Sequence, residues 1–234
     1  MITLGIIGVV AAMTIPTLIA NTRSQQYRSA FKKTISTLSQ AARMSEAQYG
    51  FDYAGINAAC GANAATEKPE EVMTICSLLN GTLTGATYYA NATDIKMNKK
   101  GASSSYSITS GAFMSAMASR QIQNFRAYVL KDGVIVAIYK DLGSNPCTLS
   151  VGTSLQDGVN DGEMRNCVGF IDVNGSALPN KEVSCSSGSD SLSQNTCIVK
   201  NDAEHMTDIY PIRFHDGIVE PASAAARYVL KTAK

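Results

Sequence analysis

Six cysteines are the residues of this 234-residue chain whose chemistry is most distinctive. They are Cys60, Cys76, Cys147, Cys167, Cys185 and Cys197. None of them form a C-x-x-C pair, and His205 and His215 are the only histidines, so the spacing of a zinc site is not met. An even number of cysteines in a Gly- and Ser-rich region is typical of disulfides formed in an oxidising compartment. Pairing between sequence neighbours (60–76, 147–167, 185–197) would close three short loops. Other pairings, and free buried thiols, remain open.

A second candidate site lies at Asp172 and Asn174, whose alternating oxygen ligands resemble part of a calcium loop. The full pattern D-x-[DN]-x-[DN]-G with a distal Glu is not met. Asx turns use the same residue types to hydrogen-bond their own backbone. We therefore expect a turn without a metal or other cofactor, and keep calcium as the alternative.

The two histidines are the remaining candidates for acid–base chemistry, since His205 follows Glu204 and His215 precedes Asp216. Sequence neighbours in a strand point to opposite faces, so adjacency alone does not make a catalytic pair. We expect each histidine to lie in a solvated turn. The sequence has no nucleophile elbow, phosphate-binding loop, dinucleotide motif or H-E-x-x-H. It therefore indicates a protein that is not an enzyme.

The elements that position these residues begin with an uncharged N-terminal segment, residues 1–22, which precedes the first charge at Arg23. As a helix it would be about 33 Å long, enough to cross a bilayer core. We expect it to be a membrane-inserted helix; the alternatives are a buried core helix and a signal peptide. Gly5 and Gly8 lie on roughly one face and would allow close helix approach, and Pro16 should kink or loosen the helix.

Residues 23–50 continue this helix with an apolar stripe. Its members are Tyr27, Phe31, Ile35, Leu38, Ala42 and Tyr49. Gly50 fits a C-terminal stop. Residues 1–50 carry five basic residues and one acidic residue, a net charge of +4, so the rest of the chain is at −3 and the total is +1. This near-neutral total argues against nucleic-acid binding.

Residues 51–234 form the globular region in this interpretation, and its clearest elements are hairpins. β-rich runs flank Asp132-Gly133 and His215-Asp216-Gly217, which predicts one hairpin over 127–139 and another over 209–219. Residues 168–173 indicate a further strand. Short helices are predicted over 67–79 and 222–230, the second opened by Pro221. The fold class is therefore α+β, a long N-terminal helix packed on an antiparallel sheet.

The run ITLGIIGVVAAMTIPTLI, residues 2–19, resembles the N-terminal helix of type IV pilins and type II secretion pseudopilins. The segment from Phe170 to Asn180 is similar to the Asp-x-Asn-Gly…Pro-Asn loop of many pilin-like proteins. In that family a prepilin peptidase removes a basic leader, the new N-terminal residue is methylated, and a nearby glutamate pairs with a neighbouring subunit. The leader, the aromatic first residue and the glutamate are not in this sequence. We expect a truncated or misassigned start; the alternative is a variant without the assembly glutamate.

The resemblance implies a structural subunit of a pilus-like or pseudopilus filament that polymerises through its N-terminal helix. Gly5, Gly8 and Pro16 would belong to the assembly helix, and Tyr27, Phe31, Ile35 and Leu38 would hold the sheet on it. The implied partners are other copies and the assembly machinery. The implied location is the inner membrane with an exported C-terminal region, and then an extracellular or periplasmic filament. The alternative is a membrane-anchored or tip-located adhesin whose loops 82–110 and 176–207 contact a ligand.

Overall fold

The chain folds as α+β, with one long helix packed against a six-stranded antiparallel sheet. This computed structural model describes residues 2–96, 105–108, 122–143, 147–148, 167–190, 196–200, 202 and 204–232. Within that part, only the backbone is described for residues 2–17 and 20. The predicted fold class, in these coarse terms, is confirmed.

Helix α1 spans Ile2–Tyr49, a single element of 48 residues. At 1.5 Å per residue its length is about 70 Å. The helix assignment continues through Pro16 without a break. The helix ends at Gly50, whose φ of 80° is a left-handed conformation that glycine adopts at little cost, and whose N–H donates to the Glu46 carbonyl at 3.0 Å. The predicted stop is therefore confirmed.

The order of the strands across the sheet is the same as their order in the sequence, β1-β2-β3-β4-β5-β6. Its strands are β1 (Thr87–Tyr89), β2 (Phe125–Val129), β3 (Ile135–Tyr139), β4 (Val168–Asp172), β5 (Ile209–His215) and β6 (Ile218–Pro221). Every neighbouring pair is antiparallel. Both predicted hairpins are present as β2–β3 and β5–β6, and the predicted strand at 168–173 is β4.

Each hairpin closes through residues with a left-handed backbone. Gly133 has a φ of 86° in the β2–β3 turn, and Asp216 has a φ of 44° in the β5–β6 turn. Asp is one of the few residues other than Gly that occupies this region readily. The turn dipeptides that predicted the hairpins therefore supply the backbone conformation that the turns require.

Both faces of the central strands are buried, and the strand alternation divides the core in two. Tyr210, Ile212 and Phe214 of β5 lie on the face that α1 covers, in one large cluster of buried apolar residues. Ile209 of β5 and Phe170 of β4 lie on the opposite face, in a smaller cluster with Tyr106. This explains why all residues of β4 and β5 are buried.

The short helices begin later than predicted. Helix α2 spans Ile75–Thr82, because Thr74 caps it by accepting from the Ser77 N–H at 3.0 Å in a capping box. Helix α3 spans Ala224–Lys231, and its cap is Ser223. Pro221 is the last residue of β6 and does not open a helix. Strand β1 was not predicted.

Candidate functional site: the long helix and the sheet that it carries

The contact between α1 and the sheet is centred on two fully buried side chains. Phe31 and Leu38 are each 0% exposed. The ring of Phe31 stacks on Tyr210 of β5, with centroids 4.4 Å apart and an interplanar angle of 23°. The hydroxyl of Tyr53, also buried, donates to the Leu38 carbonyl at 2.8 Å. Phe31 and Leu38 therefore pack α1 against the core of the globular region.

The other two predicted anchors are less buried. Ile35 is half-buried and packs against the core from its edge. Tyr27 is half-buried too, and burial raises the pKa of its phenol above the usual value, with the negative charge of Asp208 acting in the same direction. Because Asp208 precedes β5, Tyr27 lies where the helix first meets the acidic end of the sheet.

Small residues that the stripe left out complete the contact. Thr34, Ala41 and Ser45 are buried, and they continue from Phe31 and Leu38 at steps of three and four. The hydroxyl of Ser39 accepts a hydrogen bond from the Val219 N–H of β6 at 3.0 Å. Small side chains let the edge strand approach the helix closely. Thr34 and Ser45 fit the 3.6-residue period of the buried face, but a search for apolar residues does not find them because Thr and Ser are polar.

The predicted assembly residues Gly5, Gly8 and Pro16 all lie within α1. Their side-chain surroundings are not described, because only the backbone is described for residues 2–17 and 20 of the predicted membrane segment, residues 1–22. Among the described residues, no helix has the length and apolar content needed to cross a bilayer. The described side chains of this segment include Leu18 and Ile19, which are 68% and 47% exposed.

All six cysteines are paired as sequence neighbours, as the short-loop alternative predicts. The bonds are Cys60–Cys76, Cys147–Cys167 and Cys185–Cys197. Five of these residues belong to the large buried cluster, and Cys185 packs against it. The disulfides therefore attach loops of the globular region to the core beneath α1.

Asp172 lies at the end of β4 and is fully buried. One carboxylate oxygen accepts the Tyr106 hydroxyl at 2.5 Å, and the other accepts the Asn174 N–H at 3.0 Å. Burial raises the pKa of Asp172 well above the usual value, and the charge of Asp208 raises it further. Both oxygens thus have protein donors, in the arrangement of an Asx turn.

Asp208 binds the neighbouring loop in the same manner. Its oxygens accept the Asn180 N–H at 3.0 Å and the Lys181 N–H at 2.7 Å, and burial raises the pKa of its carboxyl. Asn180 has a φ of 47°, and its amide donates to the Ser107 carbonyl at 3.2 Å. The Asp–Asn pattern therefore fixes loops on the sheet, and calcium at Asp172 and Asn174 stays the untested alternative.

In the described part of the chain, three residues of types that can bind a metal lie close together at two places. They are Cys60 with Glu67 and Cys76, and Cys185 with Asp190 and Cys197. In both groups the two sulfurs are joined in a disulfide, so neither is a thiolate ligand.

His215 is not in a solvated turn, which corrects the prediction. It is the last residue of β5 and is 4% exposed. Its Nε2 lies 2.8 Å from Glu220, which also pairs with Arg213, and its Nδ1 lies 3.0 Å from Asp216. Burial lowers the pKa of His215, but the hydrogen bonds to Glu220 and Asp216 outweigh burial and raise the pKa above its usual value.

The prediction missed this because Glu220 faces His215 across the β5–β6 hairpin, which sequence adjacency does not reveal. His205, by contrast, is exposed and lies 2.5 Å from Asp202 in a turn, as expected.

Comparisons with family models, with curated proteins and with solved structures find no match. What the chain does must therefore be argued from its residues and geometry. The best-defined feature is the helix–sheet contact around Phe31.

Proposed function

We propose that this protein is the structural subunit of a filament of the type IV pilus or type II secretion pseudopilus kind. The observation that carries the proposal is the division of α1. Its second half buries Phe31 and Leu38 against the sheet, whereas Leu18 and Ile19 are 68% and 47% exposed. Between them, Asn21, Thr22 and Arg23 are also exposed. A helix that presents large apolar side chains beyond its own globular region needs another apolar surface to cover them.

Two environments can cover such a helix in turn. Before assembly, residues 1–22, which carry no charge, would lie in the inner membrane, and their helical length of about 33 Å suits a bilayer core. In the filament, the same residues would pack against helices of neighbouring copies. Transfer out of water is favourable by about 25 cal/mol per Å² of apolar surface in either place. Gly5 and Gly8 would permit close packing, and Pro16 would permit local unwinding during the transfer.

The globular region would cover the outside of this filament. Its three disulfides are typical of proteins in an oxidising compartment, which supports an exported location, extracellular or periplasmic. The partners in this proposal are other copies of the chain and the machinery that assembles them. Catalysis has no part in it.

A second candidate is a tip-located or membrane-anchored adhesin. The observation that favours it is the exposure of Leu178 and Ile198, which are 63% and 51% exposed in the loop region 176–207. Exposed apolar residues on loops are typical of ligand contacts. In this case the long helix would anchor one copy and would not build the filament length.

Immunogold electron microscopy of filaments sheared from producing cells separates the two candidates. An antibody raised against the globular region should label a main subunit at intervals along the whole filament. Label restricted to one end would favour the adhesin. Filaments without label, from cells in which the protein is abundant, would contradict both forms of assembly.

A further inference from the structure

We infer that an acidic groove on the globular region binds the exposed basic face of α1 on a second copy of this chain. The groove is defined by residues 57–61 and 67–74, and the basic face by Lys32 and Arg43. The inference rests on the proposed function, because it identifies which surfaces of two subunits meet outside the helical core of the filament.

The groove is a concave site of about 420 Å³ between two segments that are bound to each other. The Asn57 N–H donates to the Met73 carbonyl at 3.1 Å, and the Gly61 N–H donates to the Glu67 carboxylate at 2.6 Å. The Cys60–Cys76 disulfide joins the first segment to helix α2, which begins directly after the second segment. The groove is thus held open by the fold and needs little reordering when a partner binds.

Its surface combines negative charge with exposed apolar side chains. Glu70 and Glu71 are exposed on the lining, and beside them Val72 and Met73 are each 41% exposed. Glu71 makes a 3.7 Å ion pair with Lys68, in which both side chains are about two-thirds exposed. Glu70 makes no ion pair with the residues that the structure describes. A partner for this surface should therefore offer cations together with some apolar area.

The exposed face of α1 has a net positive charge, because it carries Lys32 and Arg43 against one exposed acidic residue, Glu46. Lys32 and Arg43 are eleven residues apart, which places them about 20° apart around the helix and about 16 Å apart along it. Both are exposed, and within the described part of the chain neither forms an ion pair. Ser36 lies between them and is also exposed. Met44, 45% exposed, adds an apolar side chain next to Arg43.

The two surfaces lie in different places on one chain, so their contact is heterologous. Contacts of this type repeat from copy to copy and build an open helical assembly when the rotation does not close. A contact between two copies of the groove would instead bring Glu70 and Glu71 together and would be repulsive. Between two copies, charge complementarity therefore favours the head-to-tail contact, in which the basic face of a second copy occupies the groove.

Charge reversal of each surface, and then of both, tests this contact. The variants are Glu70→Lys/Glu71→Lys, Lys32→Glu/Arg43→Glu, and the combination of all four changes. Self-association of the purified full chain in detergent is measured by sedimentation over a range of concentrations, at low and high ionic strength. The same variants are scored for filament number by electron microscopy. Circular dichroism verifies that each variant keeps the native fold.

Matched controls reverse exposed charges elsewhere. Asp94→Lys is the control for the groove, and Lys140→Glu is the control for the helix, because both residues are exposed and lie outside the two surfaces. Neither control should change self-association. Wild-type association should weaken at high ionic strength, because salt screens exposed charges.

Each single-surface reversal should lower the association constant by about tenfold or more, and the combination should restore most of it, because the charges are again opposite. The inference is overturned if the reversals have no effect, if the combination does not restore association, or if the wild-type chain stays monomeric at every concentration. If filaments form and the reversals leave them unchanged, this interface is wrong and the proposed function stands. If the charge-swap pattern holds in detergent but no filaments exist, the interface stands and the proposed function fails.

Discussion

Replacing Phe31 with alanine tests the contact that holds the sheet on the helix. The side chain is 0% exposed, and its ring stacks on Tyr210 with centroids 4.4 Å apart. Truncating a buried phenylalanine to alanine costs about 3–5 kcal/mol, and about 0.5–1.5 kcal/mol of that loss belongs to the aromatic pair. A domain of this kind has a net stability of about 5–15 kcal/mol. The variant should therefore lose about a fifth or more of its free energy of unfolding.

The assay is urea denaturation of the full chain in detergent, with disulfides intact, followed by near-ultraviolet circular dichroism. Ser36→Ala is the control, because Ser36 is exposed on the same helix, and it should change the free energy of unfolding by less than about 0.5 kcal/mol. Phe31→Asp should go further than Phe31→Ala and detach the sheet, because it adds a buried, unpaired charge. If Phe31→Ala behaves like Ser36→Ala, the reasoning about this contact is refuted.

Three further predictions concern pH and covalent bonds. The pKa of His215 is raised and that of Glu220 is lowered, so their pair should stabilise the fold fully between about pH 4.5 and 6.5 and lose that contribution as the pH rises through the raised pKa of His215. Thermal unfolding of His215→Gln should thus show a larger deficit at about pH 5.5 than at about pH 8.5, and an equal deficit would contradict the assignment. The pKa of Asp172 is raised, so the folded protein binds its proton more tightly and the wild type loses stability as the pH rises. The free energy of unfolding of Asp172→Asn should therefore increase relative to that of the wild type as the pH rises. A difference that is the same at every pH would argue against a buried charge at Asp172. Removing the Cys60–Cys76 bond by a double Ser substitution should cost about 3 kcal/mol in urea denaturation, and a loss near zero would show that the bond does not constrain the unfolded chain.

The sequence predicts those parts of this fold whose signals are local. The 3.6-residue period from Phe31 to Leu38 and the stop at Gly50 predict α1, because helix periodicity and a left-handed C-cap are short-range properties. The Asp132-Gly133 turn predicts the β2–β3 hairpin for the same reason. Each disulfide also joins two cysteines that are neighbours in the sequence, and each closes a short loop.

Contacts made across the sheet were not predictable from the pattern. His215 contacts Glu220, which reaches it from the next strand. Tyr106 and Asp172 are far apart in sequence but share a hydrogen bond of 2.5 Å, and no local pattern joins them. Helix α2 begins later than predicted because Thr74 caps it. The Thr74 hydroxyl also donates a hydrogen bond to Glu67, a contact that depends on the tertiary structure.

The candidate site and the groove were predictable only in part. Phe31 and Leu38 were identified because they are large and apolar, whereas Ser39 and Ser45, which lie against the same face, were hidden by their polarity. The groove beside Glu70 had no signal in the sequence, because two separate segments of the chain line it. Surfaces made from several segments require the fold before they can be recognised.

A helical reconstruction of the isolated filament by electron cryomicroscopy tests the central claim most directly. The account predicts a filament whose core is made of parallel copies of α1, with residues 2–22 packed at the centre and the six-stranded sheet outside. It also predicts that Phe31 faces its own sheet and not a neighbouring copy. A filament core made of another protein, or a chain found solely as a monomer in the membrane fraction, would contradict the account.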